Sequence, residues 1–128
     1  MRIELTIYAL PKLPNRLLGA HWRTRSGQAA KWKRFVGDAF TQWLCTQAFN
    51  SSGSVSFNCL QKARITLLRC SPRQCDFDGL VGSFKSCVDA LVHHGIIEDD
   101  TPAHIETTYE WLKVPTKEQC VKILVEGI

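Results

Sequence analysis

Two groups of carboxylates bracket one short stretch of this 128-residue chain. The stretch is C-D-F-D-G-L-V-G-S-F-K-S-C-V-D-A-L-V-H-H-G-I-I-E-D-D, from Cys75 to Asp100. Asp76 and Asp78 stand one residue apart at its start, and Glu98, Asp99 and Asp100 run consecutively at its end. Like charges repel, so a fold that brings the two ends together needs a cation to neutralise them. Carboxylate oxygens suit a hard divalent ion, and the stretch reads as a candidate divalent-metal site that the rest of the chain brings to nucleic acid. If the start is extended, side-chain alternation points Asp76 and Asp78 to one side.

Between the acids lies an amphipathic helix pattern. Asp78 is a suitable N-cap, since its carboxylate can accept from the free N–H groups of a first turn. Leu80, Phe84, Cys87, Val88 and Leu91 recur at helical spacing, and Gly95 reads as the stop. Leu80, Phe84, Cys87 and Leu91 share one face, with Asp78, Gly82, Lys85 and Asp89 opposite. Plain solvation accounts for charge on such a face. Against it, Gly79 and Gly82 each cost about 1 kcal/mol relative to Ala in a helix, and they leave bare backbone that a phosphate can approach. Lys85 and Asp89 are spaced for an i,i+4 ion pair. His93 and His94 suit the helix C-terminal dipole better than chemistry, and Glu98 and Asp99 suit a solvated turn.

Charge is unevenly spread. Residues 1–74 carry 12 of the 16 Lys and Arg against Glu4 and Asp38, and residues 75–128 carry four against ten acids. That asymmetry suggests a polyanion partner for the first half and a cation for the second, unless the halves simply neutralise each other. The segment N-R-L-L-G-A-H-W-R-T-R-S-G-Q-A-A-K-W-K from Asn15 gathers basic residues around Trp22 and Trp32. Basic side chains contact phosphates and interleaved aromatics stack on unpaired bases. Trp32 fits a core better; Trp22 is the stacking candidate. Asn15, Arg16, His21, Trp22, Arg23, Arg25 and Lys31, with Arg73 in the turn before Cys75, form the candidate DNA-binding set.

No apolar run reaches membrane-spanning length and the first residues lack a signal-peptide pattern, so an intracellular protein is expected. Six cysteines form no C-x-x-C pair, which argues against zinc and for reduced thiols acting as small hydrophobes.

Strand alternation is expected over Arg2–Leu10, over about Val55–Cys70 in two pieces, over His104–Val114 and over Gln119–Glu126. A helix is expected from about Gln28 to Phe49, with a turn over Asn50–Ser54. The last two strands look like a hairpin. The predicted fold is α/β (α+β), a small mixed β-sheet with two helices in the order β-α-β-α-β-β, as one domain over residues 1–128.

The stretch from Asp76 to Asp100 resembles the signature of RusA-type Holliday junction resolvases, roughly D-x-D-N-L, a lysine, D-[AG]-L, G, then D-D. The likeness is close over about 25 residues, and L-P-K-L-P-N-R-L-L after the first strand matches the family's Pro-rich, Asn-containing basic segment. The resemblance implies a RusA-like fold and a small homodimeric endonuclease that nicks four-way DNA junctions with magnesium, or manganese in its place. It implies Asp76, Asp78 and Asp100 as catalytic metal ligands and Lys85 as the catalytic lysine. It also implies a bacterial or phage-infected cytoplasm and a prophage setting. Magnesium held by carboxylates supplies an activated water and a charge sink for phosphodiester hydrolysis, and Lys85 suits the developing charge. Two departures stand out: Gly79 replaces the usual asparagine, and the gap from Asp78 to Lys85 is longer than in the shortest members. The competing readings are a non-catalytic phage DNA-binding or architectural protein, and a nuclease for other branched DNA.

Overall fold

Ile3, Leu5 and Ile7 alternate with Arg2, Glu4 and Thr6, and the chain there forms strand β1 (Arg2–Ile7) with the three aliphatics inward. A computed structural model describes residues 2–13, 22–50 and 57–128, and of residues 22–25 the backbone alone. The next described element is helix α1 (Trp22–Asn50), whose stripe of Trp32, Val36 and Phe40 is buried. The pattern predicts a start near Gln28. The helix begins six residues earlier because nothing from Trp22 to Gln28 forbids it: Gly27 has open space around it, and a lone glycine is tolerated at about 1 kcal/mol. The basic residues from Trp22 onward therefore stand on a helix rather than in a loop.

Strand β2 (Ala63–Ser71) is one piece. Upstream of it only an isolated bridge joins Leu60 to Ile97; residues 51–56, with most of the predicted Asn50–Ser54 turn, lie outside the described residues. Helices α2 (Phe77–Ser83) and α3 (Lys85–His93) follow, then strand β3 (Ile105–Lys113), a 3₁₀ turn over Thr116–Glu118 and strand β4 (Cys120–Gly127).

The single predicted helix is thus split at Phe84. The buried Ser83 hydroxyl donates back to the Leu80 carbonyl at 2.8 Å, a local bond that bends helices. Phe84 caps the first piece, with its N–H turned back to Val81 O at 3.2 Å, and its ring is fully buried. The predicted inward face survives the break, since Leu80, Phe84, Cys87 and Leu91 are all buried. Gly95 ends the run with φ 70°, where a side chain would be strained.

The sheet is mixed, in the order β1-β4-β2-β3. β4 runs antiparallel to both β1 and β2, and β2 runs parallel to β3. The predicted β3–β4 hairpin is therefore incorrect. A parallel pair needs a long crossover, which α2 and α3 supply. β4 buries Val121, Ile123 and Val125 and takes a central place, whereas the charged β3 (I-E-T-T-Y-E-W-L-K) is left at an edge. The helices cover one face, where Ile3, Leu5, Ile65, Leu67, Val121 and Ile123 meet Trp32, Val36, Phe84 and Leu91. Each such fully buried aliphatic side chain contributes roughly 1.5–3 kcal/mol before the entropy of folding is subtracted. The fold is thus the predicted mixed α/β class. No helix among the described residues is long and apolar enough to cross a membrane.

Candidate active site

Asp76, not Asp78, caps α2. Its backbone is extended and its Oδ1 accepts from Gly79 N at 3.2 Å. A Cβ at residue 79 would lie 2.5 Å from that oxygen, so glycine is what allows the carboxylate this close. Asp78 sits exposed in the first turn, where the helix dipole favours an acid.

Lys85 opens α3. Its Nζ lies 3.1 Å from Asp89 Oδ1, the predicted i,i+4 pair, and 3.6 Å from Asp100 Oδ2. The hydrogen bond and charge of Asp89 hold the Lys85 ammonium above its ordinary pKa; partial burial opposes this and Asp100 adds to it. Lys85 is 71% exposed at its side chain, Asp89 46% and Asp100 35%, so solvent screens the group. Asp100 is brought back by the residues after Gly95. Ile96 and Ile97 are buried in the core, and Leu60 brackets them, donating to Ile96 O and accepting from Glu98 N, both at 3.0 Å. Asp99 then accepts from Asp100 N at 2.8 Å, while Glu98 is exposed. The result is a cleft of about 360 Å³ bordered by Gly82, Lys85, Val88, Asp100, Thr107 and Tyr109.

The three aspartates are hard oxygen donors of the kind magnesium takes, but they are not gathered at one point. Among the described residues no three His, Cys, Asp or Glu side chains form a group able to hold a metal. The helical path explains the separation: Lys85 comes seven residues after Asp78, which at helical rise is about 10 Å, and it is at Lys85 that Asp100 arrives.

Of the candidate DNA contacts, the side chains of Lys31 and Arg73 are described. Asn15, Arg16 and His21 lie outside the described residues, and Trp22, Arg23 and Arg25 are described by backbone alone, in the first turns of α1. Lys31 is exposed, with its Nζ 5.5 Å from the centre of the Phe35 ring and the Arg34 guanidinium at the same distance. Trp32 is core, as expected. Arg73 is exposed beside a second cleft that also holds Lys12 and Arg69. Sequence reasoning passed over those two. The available signal was a charge at an inward position of β2, since Ala63, Ile65, Leu67 and Arg69 share one face.

In comparison with known proteins, no family model matches the chain and no curated protein matches it.

Proposed function

We propose that the chain is a divalent-metal-dependent endonuclease for branched DNA, acting on four-way junctions by paired nicks. The observation that best supports this is the return of Asp100 to Lys85 at the cleft beside α2 and α3. Two parts of the Asp76–Asp100 signature, 15 residues apart, meet there. Lys85 presents an ammonium that Asp89 and Asp100 keep charged and oriented, which suits it to hold a phosphate or meet charge developing on it. Asp76 and Asp78 stand at the start of α2, the helix before the one that Lys85 opens, and Gly82 borders the cleft. The magnesium requirement and its ligands Asp76, Asp78 and Asp100 rest on the family resemblance. Paired nicks suit a twofold dimer with two sites.

A second reading is a non-catalytic DNA-binding protein. The specific observation in its favour is that Asp76 serves as a helix cap and the three aspartates do not converge among the described residues.

The deciding experiment is incubation of a labelled synthetic four-way junction with the chain, with magnesium, manganese or neither, beside a linear duplex of the same sequence and an Asp78→Asn variant. Symmetric nicks in the junction alone, dependent on the ion and lost in the variant, are the expected result. Junction binding without product in either metal would sink the enzyme reading and leave the binding protein.

A further inference from the structure

A second cleft, of about 580 Å³, opens between the segment leaving β1 and the turn leaving β2. Among the described residues three cations line it, Lys12, Arg69 and Arg73, and no acid does. Arg69 is 7% exposed, so its guanidinium is held within the protein. One of its N–H groups donates from Nη1 to Pro11 O at 2.8 Å. Among the described residues none of the three cations has a carboxylate in ion-pair range, and no side-chain nitrogen is sealed from solvent without a partner. Arg69 lines the cleft, and among the described residues its guanidinium makes no hydrogen bond besides the one to Pro11.

A buried charge is ordinarily paired. This one lines a cavity whose other charges among the described residues share its sign, so an anion would complete it. The walls are already fixed. Gln28, with its amide oriented to suit its neighbours, accepts from Lys12 N at 3.1 Å and Trp32 Nε1 at 2.9 Å. Ser71 Oγ donates to Arg73 O and accepts from Trp111 Nε1, both at 2.9 Å. Little reorganisation is needed to receive a ligand. Burial pushes the Arg69 pKa below its ordinary value, the direction that a bound anion reverses.

We propose that this cleft binds a phosphate group, with Arg69 as the buried anchor and Lys12 and Arg73 as its rim. The planar fork of arginine matches two phosphate oxygens at once. The phosphate comes from a nucleic-acid backbone or from a free phosphate ion. The site stands whether or not the chain cuts DNA.

The test is an NMR titration of the full chain, following the Arg69 Nε–H and the amides of Arg73 to Cys75. Sodium phosphate, sodium chloride at equal ionic strength and a short linear DNA duplex form three arms. Saturable shifts with phosphate or duplex but not chloride are expected. They should weaken about tenfold in a Lys12→Ala/Arg73→Ala variant, whose two positions are exposed and whose melting temperature should not move. Shifts with free phosphate identify a small ion as sufficient; shifts with duplex alone identify the backbone as the source; both uphold the site. No saturable shift in either arm, an equal response to chloride, or full affinity in the double variant overturns it and leaves Arg69 as a tether for Pro11.

Discussion

Lys85 is met by one carboxylate from its own helix and another from 15 residues further along. The Asp89 pair is local and any helix with that spacing offers it; the Asp100 contact is made by the fold. Because Asp89 raises the Lys85 pKa above the ordinary 10.5, the sign of the linkage is set. The pair's contribution to stability is fully present below the unfolded value and is lost as pH rises through the higher folded value. Exposure keeps that contribution to at most about 1 kcal/mol. An NMR titration of the Lys85 side chain should show a midpoint above 10.5 that falls in Asp89→Asn; a midpoint indifferent to that substitution would mean the pair does not form in solution. Cys87 shows the opposite balance. Burial pushes its thiol up to about 12 against the pull of Arg69, so it is a packing group and not a nucleophile.

At the scale of elements, α1 and α3 pack so closely that one position on α1 has no room for a side chain. A Cβ on Gly37 would sit 2.6 Å from His94 Cε1, and that ring is held by an Nε2 bond to Lys33 O. His94 thus joins the two helices as well as standing at a helix end. Gly37→Ala gains about 1 kcal/mol of helix propensity, while overpacking costs about 1–3 kcal/mol. It should therefore lower the melting temperature alone and raise it in a His94→Ala background. Stabilisation in both backgrounds would show that the ring is no obstacle.

At the scale of the molecule, β4 is the strand on which the sheet depends. It pairs along its length with β1 on one side and β2 on the other, although it is the last of the four described strands in sequence. Removing residues 120–128 should abolish cooperative unfolding, because β1 loses its strand partner and Ile3, Leu5 and Ile7 lose the sheet that buries them. Urea melts followed by circular dichroism would read this directly, and a retained sharp transition would refute the central role of β4. An edge-strand reading of β4 would predict a milder loss.

Much of this protein is local and so legible in its residues. Alternation marked β1, β3 and β4 because a strand's faces differ by one residue, and the 3.6-residue stripe marked the inward faces of α1 and of the split helix. The i,i+4 spacing specified the Lys85–Asp89 pair, and Gly95 the turn that ends α3. Other features came only with the tertiary structure. Strand pairing depends on which apolar strand wins the sheet centre, a competition among distant segments, so the adjacent β3 and β4 did not become a hairpin. Asp76 became the cap because the helix began two residues earlier than Asp78 suggested, with Gly79 making room. Asp100 reached Lys85 because Ile96 and Ile97 are drawn into the core. Arg69 showed only a charge out of phase in a strand pattern; its cleft, free of carboxylates among the described residues, exists only where the ends of β1 and β2 meet.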